Sequence, residues 1–391
     1  MGLDKFYKEY CSGCGLCKHA VGVQFNNKNG FEFPVQLNKT QLEFCKKVCP
    51  VNGINYNTRT EENLWGPSVG IYRGWSLEQE VRYRAASGGI ITSVCLFLLE
   101  TGKCDAILQV GSSDSNPFDL QLYSNSDRSA VIKCSSSKYI TGLTYKDIEE
   151  KIQPDKRYAV VGKPCDIEAL SNYMVYNSTL KESIIYKLTF FCAGAPSVKA
   201  NEKMVKELGI EKEDVTGIRY RGNGWPGKAT VITRAEEKQM EYIDSWNNIL
   251  GRDIRKICKF CVNGTGMFAD ISCGDLWNLS DKNYPIFDEA EGQNIIFART
   301  KIGENILQEA CSLGYIHVEG YAEMQKLPYI QPNHYNMQTT MSGKIIGLKF
   351  CAKRRPKYKL RKLLKISKEI PTKKIIRAAL GTIKRVIKGT V

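Results

Sequence analysis

Three cysteines at two-residue spacing, Cys11, Cys14 and Cys17 in "CSGCGLC", are followed much later by the pair Cys49-Pro50. Thiolates so spaced hold iron–sulfur clusters in the run C-x2-C-x2-C-x3-C-P, whose fourth cysteine, where two runs occur, ligates the cluster of the other run. Laid on the chain twice, the run needs positions 11, 14, 17 and 21, then 39, 42, 45 and 49. Val21, Lys39 and Leu42 stand at three of these. Under crosswise ligation one cluster keeps all four ligands, Cys11, Cys14, Cys17 and Cys49, while the other keeps only Cys45. One 4Fe-4S cluster is therefore expected, with Cys45 left over from a lost partner. A structural zinc ion on four thiolates is the alternative; the crosswise pattern favours iron–sulfur.

A second set of thiols is scattered. Cys258 and Cys261 form "CKFC", one pair where a metal site usually needs four ligands. Cys165 in "VGKPCDI" and Cys192 in "FFCAGAP" each follow an expected strand. Strand ends in an α/β sheet share the ligand-bearing edge, so a second cluster on Cys165, Cys192, Cys258 and Cys261 is geometrically reasonable. Against it, a lone cysteine often serves as a small buried side chain.

Two glycine-rich stretches could meet a phosphate. "SGGIITS" sets Ser87, Gly88 and Gly89 before an apolar helix, where open amides suit an anion, though a plain N-cap has the same look. "RGNGWPGKAT" fits G-x-G-x-x-G through Gly222, Gly224 and Gly227, but Pro226 sits inside it and a strand follows instead of a helix. It also falls short of a P-loop, since Ala229 replaces the Ser or Thr that would bind magnesium. A hairpin tip bearing Arg221, Trp225 and Lys228 remains, fit either for a phosphate or flat ring or for a tight connection alone. "ADISCGDLWN" carries Asp270 and Asp275, either of which could cap a turn or touch a ligand. Histidines are His19, His317 and His334, too few to favour a His-based triad or metal site.

The elements that must position these groups alternate. "RYAVVG", "SIIYKLTFF" and "DAILQV" read as strands, interleaved with helices at "SGGIITSVCLFLLETG", "CDIEALSNYMV" and "SVKANEKMVKELG". "GIRYR" and "KATVITR" read as paired strands, and "NIIFART", "KIGENILQEACSLG" and "YIHVEG" as strand, helix and strand. The pattern implies an α/β fold with α+β elements around a mixed sheet. Its 391 residues suffice for two or three domains. They divide into a ferredoxin-like 4Fe-4S piece at 1–60, a main body at 61–335, and a linker with a basic amphipathic helical tail at 336–391.

The N-terminus has no signal-peptide h-region and no myristoylation pattern, and the apolar run at "IITSVCLFLLETG" is too short to span a bilayer. With 15 cysteines and no mark of secretion, the thiols point to metal or redox use in a cytoplasmic protein. The net charge of +15 is local: from Lys353 onward 15 lysines and arginines face one acid, Glu369. Within that tail Pro371 divides two helix-compatible pieces. Leu360, Leu363, Leu364 and Ile366 mark the first, and Ile375, Ile376, Ala379, Leu380, Ile383, Val386 and Ile387 stripe the second. Cations opposite an apolar face suit an anionic membrane surface, here the inner face. Nucleic acid is disfavoured, because the tail lacks interleaved aromatics and the body carries little excess charge.

In order along the chain, "CSGCGLC", "NGFEFPV", "SGGIITS", "SSKYI", "VGKPCDI", "YRGNGWPGK", "CKFC" and "ADISCGD" together resemble the coenzyme F420 hydrogenase/dehydrogenase beta-subunit family over roughly residues 8–335. The resemblance implies an iron–sulfur flavoprotein oxidoreductase, passing electrons between clusters, FAD and a deazaflavin or other acceptor, small molecule or partner protein. It implies a flavin pocket lined by Ser87, Gly88 and Gly89, by Lys138 and Tyr139 of "SSKYI", and by Arg221, Gly224, Trp225 and Lys228. It also strengthens the second thiol set. Chains of this kind resemble proteins encoded beside polysaccharide-building enzymes, so a non-redox accessory role in surface-glycan assembly, with a structural cluster, is the alternative. The shortened ferredoxin piece and the basic tail depart from the family pattern.

Overall fold

The computed structural model describes residues 3–58 and 63–390. The expected boundary between residues 60 and 61 lies outside the described residues. A first hairpin pairs β1 (Gln24–Lys28) with β2 (Phe31–Val35), followed by the helix Lys39–Val48. Asn38 and Gln41 cap that helix reciprocally, each side chain accepting from the other's backbone N–H at 2.9 Å.

An eight-stranded mixed sheet forms the body. Its strands are β3 (Gly70–Ser76), β4 (Ala106–Ser112), β5 (Leu120–Asn125), β6 (Tyr158–Gly162), β7 (Ile184–Phe190), β11 (Ile271–Asp275), β12 (Asn294–Ala298) and β13 (Ile316–Gly320). A separate three-stranded antiparallel sheet holds β8 (Gly217–Arg219), β9 (Lys228–Ile232) and β10 (Glu237–Glu241). In the large sheet the order is β13-β3-β12-β11-β7-β6-β4-β5. The four middle strands β11, β7, β6 and β4 run parallel, and the outer ones are antiparallel. Strands covered on both faces must be apolar on both, which is why "YAVVG" reads as a continuous run.

One face of the sheet is covered by the helices Ile90–Glu100 and Lys301–Ser312. The first is apolar almost all round, as a helix buried on most sides must be. The helix Pro164–Met174 covers the other face, and the N-terminal piece packs there through Cys14, Leu16 and Val48. Within residues 336–390 the tail packs against the body. A helix Pro332–Phe350 runs across the expected 335/336 division, and its Met341, Ile345 and Leu348 join Phe6, Tyr7, Tyr10 and the tail's Leu363 in one core. The helix Thr372–Ile387 lies along it, at a spot where a Cβ on Gly347 would meet the Ala379 carbonyl at 2.6 Å.

Candidate functional site: two thiol groups and a cavity

Cys11, Cys14, Cys17 and Cys49, with Cys45, lie near enough to affect one another electrostatically. Burial raises Cys11, Cys14 and Cys49; Cys45 adds to Cys11, Cys11 adds to Cys14, and Cys14, Cys45 and Cys11 add to Cys49, while Cys17 is raised first by a hydrogen bond with Cys45. Burial pushes the Cys14 thiol up to about 12. The left-handed Gly13 lets the loop turn so that its own N–H donates to Cys11 Sγ at 3.4 Å. Amides aimed at sulfur are what a thiolate-bound cluster needs. Cys45 is buried among this set on the helix Lys39–Val48, a closeness that ligand counting along the chain did not anticipate.

The second group assembles from three parts of the chain. β6 ends at Gly162 and β7 at Phe190, so Cys165 and Cys192 follow neighbouring parallel strands at their carboxyl ends. Cys258 and Cys261 come from the turn Lys256–Phe260 and its exit. Burial raises all four thiols, and neighbouring thiols of the set raise Cys165, Cys192 and Cys261 further. Among the described residues no three His, Cys, Asp or Glu side chains converge as they would on a single metal ion. Thiolates on a cuboidal cluster bind separate irons and need not converge.

A cavity of about 360 Å³ opens beside this group, and Cys192 lines it. That size falls within the range of cofactor pockets. Ser87, Gly89 and the first residues of the helix Ile90–Glu100 form one end, leaving the helix N-terminus open to the cavity. Lys138 and Tyr139 line it as well. Lys138 Nζ donates to the Ser135 carbonyl at 2.7 Å, and burial pushes its pKa down to about 8. Tyr139 packs on Trp246 with ring centres 4.8 Å apart.

Arg221 forms a polar wall with Asp275, its two terminal nitrogens donating to the carboxylate at 2.9 and 3.0 Å. Burial opposes the guanidinium's charge, but Asp275 together with Tyr139 and Tyr242 more than offsets this and holds its pKa above the usual value. Tyr242 and Trp277 stack against the same guanidinium. Of the two aspartates in "ADISCGDLWN", Asp275 faces the cavity. Asp270 instead accepts from Lys187 N–H and Thr300 Oγ1 at 2.8 Å each, tying strands together.

Other residues expected at the pocket stand apart from its lining. Gly88 packs where a Cβ would meet Asn294 Oδ1 at 2.8 Å, so it serves contact between strands and loop. Trp225 lies behind the wall, donating to Asp275 at 3.0 Å and stacking on Trp277 at 4.6 Å. Gly224 turns against Glu289, and the exposed Lys228 pairs with Glu241 at 2.7 Å. Sequence reasoning missed Tyr242, Trp246, Trp277 and Lys163. It also passed over His334, which burial pushes down to about 4 and so keeps neutral at the cavity edge. Only the scarcity of histidine pointed to His334.

Residues 71–146 match the N-terminal family model, and residues 155–324 the C-terminal family model, of the coenzyme F420 hydrogenase/dehydrogenase beta chain. An uncharacterized protein of Methanocaldococcus jannaschii is 24% identical over 350 residues, 81% of this chain and 90% of that protein. The coenzyme F420 hydrogenase beta chain of Methanosarcina barkeri is 22% identical over 282 residues, 68% of this chain and 86% of that one. A solved chain from the F420-reducing nickel–iron hydrogenase complex of Methanosarcina barkeri shares the fold. Its TM-score is 0.58 at 19% identity, covering 77% of this chain and 100% of that chain.

Proposed function

The chain belongs to the coenzyme F420 hydrogenase/dehydrogenase beta-subunit family, and on that premise we propose an electron-transfer oxidoreductase subunit that links thiolate-bound iron–sulfur clusters to FAD. The observation that carries the reading is Cys192, which lines the cavity and also stands in the second thiol group. Electron carriers held at these two sites would share a wall. Cys11, Cys14, Cys17 and Cys49 would hold one 4Fe-4S cluster, and Cys165, Cys192, Cys258 and Cys261 a second. A bound flavin supplies the exchange between one-electron and two-electron transfer.

The residues do the rest. The open helix start after Gly89 and the Lys138 ammonium suit the diphosphate, while Tyr139, Trp246, Tyr242 and Trp277 offer faces for flat rings. The Arg221–Asp275 pair keeps the polar wall rigid, and His334 stays neutral beside it. Relatives named for coenzyme F420 make that deazaflavin the first acceptor to try, with a redox partner protein as the other course. An anaerobic preparation tests the reading through its flavin absorbance, its iron and sulfide content, and the electron paramagnetic resonance of the reduced protein. Iron without flavin, and no reduction of any acceptor, would instead favour a non-redox accessory role in surface-polysaccharide assembly.

The C-terminal helix adds a docking surface, and an anionic membrane is the occupant we propose. Its inner side is taken up by contact with Pro332–Phe350, and Thr382 is fully buried there. Ile376, Leu380 and Ile387 point outward, 54%, 61% and 79% exposed, in a stripe flanked by exposed Lys373, Arg377 and Lys384. Apolar side chains beside cations match the interface of an anionic bilayer. Among the described residues no helix is long and apolar enough to cross one.

A further inference from the structure

Arg255 connects the two thiol groups. It is nearly fully buried and stands at the N-terminus of the turn that carries Cys258, whose N–H donates to the Arg255 carbonyl at 3.0 Å. Its own N–H donates to the Ala195 carbonyl at 3.1 Å, on the loop after Cys192. From there the side chain reaches the other group. A Cβ on Gly13, between Cys11 and Cys14, would meet Arg255 Cζ, Nε and Nη2 at 2.8 Å each, so the guanidinium lies flat on that loop.

Its arms are unequally used. Nε donates to Thr141 Oγ1 at 2.6 Å and Nη1 to the Glu32 carbonyl at 3.0 Å, while Phe31 and Phe33 pack against the group. Nη2 is buried with no hydrogen-bond partner in the protein. A buried arginine donor left open costs stability, so its place beside the thiols calls for a partner there. The backbone of Arg255 thus holds the Cys258 turn while its guanidinium covers the loop between Cys11 and Cys14.

We propose that Arg255 is a positioning residue shared by both cluster sites, its open Nη2 arm and buried positive charge directed at sulfur and raising the reduction potential there. The proposal rests on the iron–sulfur reading above. A thiolate-bound cluster gains one negative charge when it takes up one electron, with no proton transferred. A fixed cation in a low-dielectric setting therefore favours the reduced form, and hydrogen bonds to sulfur act in the same direction.

The test is a redox titration of the full-length protein followed by electron paramagnetic resonance, with iron and sulfide counted in every variant. Arg255→Gln, neutral but still able to hydrogen-bond, is expected to shift reduction at the N-terminal site at least tenfold toward the oxidised form, ~59 mV more negative. A smaller shift of the same sign is expected at the second site. Arg255→Lys, which restores the charge, is expected to recover most of the shift; a purely structural role predicts no such rescue. Unchanged potentials in Arg255→Gln with iron and sulfide retained would overturn the proposal. If that variant fails to assemble, Thr141→Val, which removes the hydroxyl that anchors the guanidinium on the Gly13 loop, decides: a changed N-terminal potential with iron and sulfide retained supports the proposal and an unchanged potential defeats it. Wild-type protein without iron and sulfide would overturn the cluster reading itself, a result distinct from clusters whose potentials ignore Arg255.

Discussion

Arg221 grips Asp275 with both terminal nitrogens, while Trp225 donates to the same carboxylate from behind. Removing one member of a buried pair leaves the other charged and unpaired, at a cost of about 3 kcal/mol. Asp275→Ala should therefore lower stability by about that amount in chemical denaturation and also deplete bound flavin. Arg221→Lys keeps the charge but loses the two-pronged geometry. It should retain most of the stability and still bind flavin more weakly, measured by absorbance after gel filtration.

The thiol assignment separates two neighbours on the chain. Cys49→Ser should abolish the N-terminal cluster signal, while Cys45→Ser should leave iron content and signal close to wild type. Cys45 donates no ligand in the crosswise pattern, although it lies within hydrogen-bonding reach of Cys17. Cys261→Ser should remove the second signal and spare the first. Equal loss in Cys45→Ser and Cys49→Ser would transfer the ligand role.

On the flavin reading, Lys138 should make binding depend on pH. Burial lowers its pKa to about 8 from the ordinary 10.5. Below pH 8 it is charged in both folded and unfolded chains, and its buried charge weighs fully against folding. That penalty is relieved as pH rises from about 8 toward 10.5, so the flavin-free protein gains stability over that window. A diphosphate beside the ammonium has the opposite dependence, being held best while the lysine is charged. The FAD dissociation constant, followed by fluorescence quenching, should rise ~tenfold per pH unit above 8, as linkage to one proton requires. Lys138→Met should bind weakly at every pH, with a flat profile.

The outer stripe of the C-terminal helix should give reversible, salt-sensitive binding to phosphatidylserine-containing vesicles. Each cation near such a surface contributes about 1 kcal/mol, and screening weakens it as salt rises. Leu380→Asp with Ile387→Asp should abolish co-sedimentation without unfolding the body, since both side chains are exposed. Full-length protein that ignores these vesicles at low ionic strength would defeat the reading. Truncation after Ala352 is a poor control, because Leu363 and Ile366 are buried and Leu363 belongs to the core under the N-terminal piece.

By itself the sequence determined the spacing of the candidate thiol ligands and the central alternation of strand and helix. Thiol spacing at Cys11, Cys14 and Cys17 is a local property, as are the apolar runs of β6, β7 and β12 and the helices that follow them. Strands that escape sequence reasoning, such as β3 and β11, carry glycines or polar residues within short runs, "GIYRGWS" and "ISCGD", so their periodicity is weak. Only the tertiary structure decided which distant residues meet. Sheet order brings Cys165, Cys192 and Asp275 to one edge, because β6, β7 and β11 are parallel neighbours. Arg255 is one more basic residue before "CKFC" in the sequence, and only its contact with Gly13 sets it apart. The tail makes the same point. Ile375, Ile376, Ala379, Leu380, Ile383, Val386 and Ile387 look like one apolar stripe in sequence. The packed helix splits them, with Ala379 against Gly347 and Leu380 facing solvent, because helical spacing fixes which residues share a face but not which face finds a partner.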